Sequence, residues 1–475
     1  MSSTSTIRTR IAPSPTGEYH IGHLRTCLYD YALAKQNKGQ FVLRIEDTDQ
    51  KRYVEGATQK ILDVIKEYGL TWDEGPDVGG PYAPYIQTQR LNTYQPFVDK
   101  LIEQGNAYRC FCTSERLTEM RELQKASKKL PKYDRHCLNL SPEEIKQNID
   151  NKIPFVVRMK VPDNETVVFE DVVRGKIKFN TNDIDDQVLI KSNGIPTYHF
   201  AVVIDDHLMD ITHIFRGEEW ITSTPKQILL YKFFGWEVPI FAHLTVLLDP
   251  GGHKKMSKRN GSVSARSFLD DGYLPEAMLN FLMLLGWNSG TEQEIYTLEE
   301  FVKAFNLEHL HKKSPIFDRK KLDYFNGLYI RKLSDEKFGQ YFKKFLPEVS
   351  DDQVKILTPV LKERIVKFSD LKESLNFLFE DVHYDKELLL KKGTAPQLAL
   401  EMLTKTKELL SDFSNLSERI LSMIKENNWN MGEYFMVFRV AICGSAFTPP
   451  VVECLPALGQ SNTIRKIEIA VLKLS

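Results

Sequence analysis

Long apolar runs are missing from this chain of 475 residues: no window reaches the ~18 uninterrupted apolar positions that a membrane-crossing helix needs. Cysteine is scarce and scattered, at Cys27, Cys110, Cys112, Cys137, Cys443 and Cys454. So thin a distribution cannot staple a chain of this size, which sets aside a disulfide scaffold and points to the cytosol. Met1–Thr6 is polar, with no apolar core or cleavage pattern, so no secretion signal is expected. An excess of one charge is also absent: 63 Lys and Arg face 64 Asp and Glu, a formal net charge of −1. Any nucleic-acid contact must therefore come from local basic patches. There is no internal repeat and no low-complexity tract. What remains is the profile of a soluble globular protein, 42% apolar and 27% charged, long enough for about three to five domains.

The first stretch reads as βαβα. Ile7 to Ala12 predicts a strand, broken by Pro13, Pro15 and Gly17. A helix follows from about Gly22 to Gln36, with Leu24, Cys27, Leu28, Tyr31 and Ala32 on one buried stripe. Phe41 to Ile45 is a second strand, and a second helix turns Ile61, Leu62, Ile65 and Tyr68 inward. Strand, helix, strand, helix implies a parallel sheet with ligands beyond the strand carboxyl ends. The middle changes character. Phe155 to Val161, Thr166 to Val173, Lys176 to Phe179 and Gln187 to Lys191 read as strands, with Ser192-Asn193-Gly194 as a hairpin signal. Because βα texture then returns, this block reads as an insertion. Thr224 is the expected cap of a helix that has Pro225 at its first position, and Ile240 to Leu248 is an apolar strand. After Asp318 the pattern is almost wholly helical.

Two short signals carry chemistry. Pro13 to His23 forms a strand-to-helix loop whose His-Ile-Gly-His tetrad sets His20 and His23 at a helix start. There free backbone N–H groups and the helix dipole favour a phosphate, and Gly22 permits close approach. The second signal is Lys254-Lys255-Met256-Ser257-Lys258-Arg259, after the later strand. Either alone is a common surface feature, a helix start or a solvated basic loop.

Together and in this order they resemble the paired signatures of class I aminoacyl-tRNA synthetases, with Arg259 in place of the more usual final serine. Within that class the chain resembles the bacterial type of glutamyl-tRNA synthetases. The likeness rests on Thr9 to Gly17, Leu43 to Asp49, Pro196 to Ala201 with Val203 to Asp206, Phe215 to Trp220 and the less specific Phe317 to Leu322. The resemblance implies a Rossmann-like nucleotide-binding α/β core, an inserted α+β domain and an all-helical anticodon-binding C-terminal region. The implied boundaries are 1–90 and 198–255 for the two catalytic halves and 91–197 for an acceptor-end-binding insertion. A helical stem-contact segment with the lysine loop would take 256–330, and the anticodon-binding helices 331–475. Implied substrates are ATP with Mg2+, L-glutamate and tRNA(Glu), acted on by a monomer. His20, His23, Lys255 and Lys258 would be catalytic. Ser14, His20, Gly22, Glu219, Trp220, Leu247 and Lys258 would meet ATP. Glutamate would be held by Arg10, Ala12, Ser14, Glu46, Tyr198 and Arg216, the arginines gripping its carboxylates and Glu46 its amino group. Val202 stands where some members have asparagine, so no polar contact is expected there.

This chemistry needs no acid–base dyad. A carboxylate, already ionised, attacks the α-phosphate of ATP, so alignment and charge neutralisation are what the site must supply. The cluster Cys110, Cys112, Tyr133 and Cys137 resembles a zinc site of some family members, with Tyr133 or His136 completing three thiolates. Asn139 replaces a histidine that some relatives carry. Lys125, Lys128, Lys129, Lys132 and Arg135 offer a basic segment for acceptor-end phosphates. Leu310 to Pro315 and Phe438 to Pro450 are candidate RNA contacts. Glutaminyl-tRNA synthetase shares the catalytic core but carries C-terminal β-barrels, and this tail has no run of alternating strands. A shortened relative that modifies a tRNA base lacks the anticodon-binding part. An RNA-binding protein with an inactive synthetase fold is the alternative of another class, opposed by both motifs being intact.

Overall fold

The computed structural model describes residues 6–128, 131–256 and 263–475. The chain forms two compact units: residues 1–267 with 279–318, and residues 268–278 with 319–475.

The first unit begins with β1 (Arg8–Ile11), α1 (Ile21–Gln36), β2 (Gln40–Leu43) and α2 (Ala57–Glu67). β1 and β2 pair in parallel, with Arg10 opposite Val42. All of β1 is buried, as expected of a parallel strand covered on both faces. α1 is buried on more than one stripe. Arg25, Thr26, Tyr29 and Asp30 are buried with the expected Leu24, Cys27, Leu28 and Ala32, while Tyr31 is only half-buried. The cause lies far away in the sequence: Phe301 and Phe305 bring their rings to 6.1 and 5.4 Å from Tyr29. The helix is therefore covered on two sides, and local periodicity reports only one.

α3 (Leu91–Glu103) leads into β3 (Ala107–Cys110), α4 (Ser114–Ala126), α5 (Pro142–Asp150), β4 (Val156–Met159), β5 (Thr166–Asp171), β6 (Gly175–Asn180) and β7 (Val188–Ile190). β3, β4 and β7 make an antiparallel sheet. The expected turn at Ser192-Asn193-Gly194 is present, closed by hydrogen bonds between Lys191 and Gly194 and between Lys191 and Ile195, with Gly194 at φ +81°. β5 and β6 form a hairpin with one solvated face. That hairpin joins the later strands instead of β3, β4 and β7: the order is β6-β5-β9-β8, with β8 (His213–Gly217) parallel to β9 (Ile240–Leu244).

α6 (Tyr198–Leu208) precedes β8, and α7 (Thr224–Phe234) connects β8 to β9. Ser223, not Thr224, occupies the cap position of α7, because a 3-10 turn over Glu218–Ser223 runs directly into the helix. β9 stops at Leu244, earlier than its apolar pattern suggests, since Leu248 instead bridges Lys255 and Ile316. The second unit is helical: Phe338, Phe342, Leu357, Leu361, Leu403, Phe438 and Ile467 share its core. Among the described residues no strand follows Leu244, and no helix is long and apolar enough to cross a membrane.

Candidate active site

The carboxyl ends of β1, β2, β8 and β9 open on one cavity of about 870 Å3 in the first unit. Of the residues singled out in the sequence, Arg10, Ala12, Ser14, Glu46, Tyr198 and Arg216 line it, and so do His20, Gly22, His23, Glu219, Trp220, Leu247 and Lys255. Lys258 lies outside the described residues. Val202 is buried in α6, packed in the apolar core.

The two motifs meet through backbone. The Ile21 N–H donates to Val263 O at 2.9 Å and the Ala265 N–H to Tyr19 O at 2.8 Å, so the chain returning from the lysine loop pairs with the His-Ile-Gly-His segment. One expectation is corrected here. The first N–H groups of α1 are not free: Ile21 donates to Val263, Gly22 to His20 Nδ1 at 2.9 Å, and His23 to His20 O. His20 is thus the N-cap, an imidazole doing what Ser or Asp usually does. With Nδ1 accepting, the proton of neutral His20 sits on Nε2. The backbone N–H groups of Ile21, Gly22 and His23 are therefore already engaged within the protein. Gly22 has a local reason as well, since a Cβ there would come within 3.1 Å of His20 Nδ1.

Opposite lies a buried polar lattice. The Arg10 Nε–H donates to Asp206 Oδ1 at 3.1 Å, and Arg44 Nη2 donates to both Asp206 Oδ1 at 2.7 Å and Glu46 Oε1 at 2.9 Å. Burial alone would raise Asp206, but Arg10 and Arg44 hold its carboxyl below the usual range. Glu46 is different: burial outweighs Arg44 and Arg10 and pushes it up to about 7. Asp205 is taken by Arg90, Gln87 and Tyr94. Arg216 has no such partner. It is 6% exposed and its partners among the described residues are neutral: His243 Nε2 at 2.9 Å, Gln227 Oε1 at 2.7 Å, Thr224 Oγ1 at 2.8 Å and the Tyr198 hydroxyl. Burial pulls its guanidinium below the ordinary arginine value. Among the described residues no carboxylate neutralises it within ion-pair distance. Burying a cation without a counterion is costly.

Lys255 makes a half-exposed ion pair of 3.0 Å with Glu219, and the Met256 N–H donates to Leu247 O. Arg44, Asp206, Gln227 and His243 are functional neighbours that motif reading did not single out. Arg44 had a signal in its place two residues before Glu46, just past the end of β2. His243 had none.

In the β3–β4–β7 region, Cys110, Cys112 and Cys137 place their sulfurs within 4.8 Å of one another. The Tyr133 hydroxyl lies 3.2 Å from both Cys110 Sγ and Cys112 Sγ. His136 is exposed and outside the cluster. Three thiols and a phenol suit zinc better than a hard cation. Of the basic segment, Lys125 and Lys128 are exposed and Lys129 lies outside the described residues. Arg135 is spent on Asp186 and Asp163 at 2.9 and 2.7 Å and is no free phosphate ligand.

Residues 6–324 match the family model for the catalytic domain of class I tRNA synthetases (E and Q), and residues 337–471 match that of an anticodon binding domain. Fold and site are those of a class I tRNA synthetase. A glutamate–tRNA ligase of Clostridium botulinum is 42% identical, with 99% of each chain covered. One of Clostridium novyi is 43% identical, with 98% of each covered. The crystal structure of a glutamate tRNA ligase from Elizabethkingia meningosepticum, in complex with its amino acid, superposes with a TM-score of 0.87 at 37% identity, covering 99% of this chain and 100% of that one. A glutamate-tRNA synthetase structure from Elizabethkingia anophelis gives 0.88 at 36%, covering 98% and 100%. The chain belongs to the glutamate–tRNA ligase family.

Proposed function

We propose that this chain activates L-glutamate with ATP as glutamyl-adenylate and transfers it to the 3′ end of tRNA(Glu). The single observation that carries the choice of amino acid is Arg216, a buried guanidinium whose partners are all neutral. A substrate side-chain carboxylate supplies the missing charge, and its fork suits two-pronged pairing. Arg10 is already committed to Asp206, so its part is to approach a carboxylate from a neutralised base. Tyr198, Ala12 and Ser14 complete the glutamate side, and Glu46 meets the α-ammonium group. On the other side Trp220, Leu247, Glu219 and Gly22 receive ATP. Mg2+ accompanies ATP and reduces the charge on its phosphates. His20, His23, Lys255 and Lys258 donate to the phosphates as pyrophosphate leaves. Pyrophosphate exchange with glutamate, ATP and tRNA tests the assignment: dependence on glutamate supports it, and equal exchange with glutamine overturns it.

The Glu46 role makes affinity depend on pH. Only the carboxylate pairs with an ammonium group, and the carboxyl is pushed up to about 7. Glutamate affinity should therefore rise about tenfold per unit towards pH 7 and level off above it. Calorimetric titration across this range, with Glu46→Gln losing the slope, is the measurement. The sign for stability is opposite. The folded value lies above the ordinary 4.5, so this group's contribution to stability of the ligand-free protein falls as pH rises from there towards 7.

For the cysteine cluster we propose one structural Zn2+ held by Cys110, Cys112, Cys137 and Tyr133. When bound, zinc ties β3 to the segment carrying Tyr133 and Cys137. Purified protein is expected to carry about one equivalent, and Cys110→Ser to lower that content and the stability of the β3–β4–β7 region. Metal-free protein with full activity and unchanged melting decides against it. The RNA side includes the anticodon-binding helices. There Phe438 is core, whereas Phe447 is 86% exposed with Lys391 over its ring at 5.4 Å, the pairing of aromatic face and cation that stacks a base.

A further inference from the structure

Three adjacent strands place one side chain each in a line behind the cavity: Asp171 on β5, His243 on β9 and Arg216 on β8. The parallel register sets Arg216 directly opposite His243, and Asp171 opposite Phe241, two residues before it on the same face. His243 is fully buried. Its Nδ1 lies 2.6 Å from Asp171 Oδ2, and its Nε2 lies 2.9 Å from Arg216 Nε. An arginine N–H can only donate, so Nε2 must carry the lone pair and Nδ1 the proton, which goes to Asp171. Burial, against the pull of Asp171, holds the imidazole below its ordinary value, in keeping with a neutral ring. Asp171 is itself fixed, accepting from the backbone N–H groups of Val173, Arg174 and His243.

The rest of the socket is neutral and shaped to the guanidinium. Thr224 and Gln227 take one N–H from each terminal nitrogen, and the Phe241 ring lies 4.9 Å beneath the plane's carbon. Gln227 presents its oxygen to Arg216 and leaves its buried Nε2 without a partner. Of the five N–H groups of arginine, three go to His243, Thr224 and Gln227. The Tyr198 hydroxyl is a further neutral partner on the cavity side, so among the described residues the guanidinium still faces the cavity without a carboxylate.

We propose that Asp171 and His243 are positioning residues for amino-acid selection: they fix Arg216 in one orientation through a lone pair instead of a charge. The β5–β6 hairpin, remote in sequence, thereby becomes part of the specificity apparatus. Had the group behind Arg216 been a carboxylate, it would have neutralised the guanidinium and competed with the substrate. A neutral imidazole holds the nitrogen and leaves the charge unspent, while Asp171 fixes the tautomer from one step back. This rests on the reading of Arg216 as the receptor of the glutamate side chain.

The test uses the full-length protein with tRNA and compares His243→Asn, His243→Gln, Asp171→Asn and Arg216→Gln. Asparagine can still reach Asp171 but withdraws the acceptor from Arg216, whereas glutamine can restore an acceptor near the Nε2 position. Asp171→Asn turns an amide donor towards N–H groups and loosens the ring. His243→Asn is expected to raise KM for glutamate by about 10- to 100-fold, as for a lost hydrogen bond to a charged group. KM for ATP should stay unchanged, the preference over glutamine should narrow, and His243→Gln should recover most of the loss. Should His243→Asn fail to fold, Asp171→Asn carries the same expectation for KM. An unchanged KM for glutamate, an equal rise for ATP, or no recovery in a folded His243→Gln overturns the proposal. Arg216→Gln separates the two levels. If it too leaves glutamate use intact, the pocket reading is what falls; if it abolishes selection while His243→Asn does nothing, only the positioning role falls.

Discussion

Arg216→Gln is expected to cut kcat/KM for glutamate by about 30-fold to several thousand-fold. That range corresponds to the roughly 2–5 kcal/mol lost when one partner of a buried, hydrogen-bonded charge pair is truncated. Glutamate and glutamine are nearly the same size, so shape discriminates little between them and charge must do the selecting. The advantage of glutamate should accordingly narrow as its own rate falls. Stability should move the other way from activity. In the ligand-free protein Arg216 is buried, with its charge disfavoured by burial, so glutamine should leave the melting temperature unchanged or higher. Glutamate should raise the melting temperature of the wild type and not of the variant, because a ligand stabilises only the state that binds it. Kinetics for both amino acids in the tRNA-dependent reaction, with melting curves with and without glutamate, check this. Full preference for glutamate in the variant would remove Arg216 from selection.

The cavity was legible because its contents sit in short motifs at strand ends. Arg10 and Glu46 lie at the two strands expected from the sequence, whereas Arg216 comes from the resemblance alone, since no strand is expected at β8. Motif reading supplies residue identities, not their electrostatic state. Arg10 and Arg216 look alike in the sequence, yet Asp206 neutralises the first and, among the described residues, no carboxylate pairs with the second. That difference depends on α6 bringing Asp206 beneath β1, a contact separated by 196 residues. His243 was invisible for a related reason: a lone histidine in an apolar strand reads as core until register sets it against Arg216 and Asp171. The fold shows the same division. α1 was placed within one residue at its start, while the second buried face of that helix and the docking of the β5–β6 hairpin on β9 depend on distant partners.

Lys258→Ala is expected to lower adenylate formation by about 10²- to 10³-fold, the usual cost of deleting one donor aimed at charge that develops in the transition state. Lys258 lies outside the described residues, so the argument comes from the residues on either side of its segment and from the other lysine of the motif. On one side the Met256 N–H is tied to Leu247, which lines the cavity. On the other, Val263 O accepts from Ile21 at the start of α1. The first anchor lines the cavity that would receive ATP, and Ile21 of the second lies between His20 and Gly22, which line it. Lys255 is already held by Glu219, so part of its charge is spent before any substrate arrives. We propose Lys258 as the motif lysine that meets the leaving pyrophosphate. An interaction made only as that charge develops lowers kcat when removed and leaves ground-state binding alone. KM for glutamate should therefore be unaffected, since the amino-acid side of the cavity is built by Arg10, Glu46, Tyr198 and Arg216. Lys255→Ala should cost less, because its loss also frees Glu219 from an ion pair that is half exposed and so worth little. Single-turnover adenylate formation with tRNA bound, measured for both variants at saturating glutamate, gives the comparison. A turnover of Lys258→Ala equal to the wild type would take this lysine out of the mechanism and leave charge neutralisation to His20, His23 and Lys255.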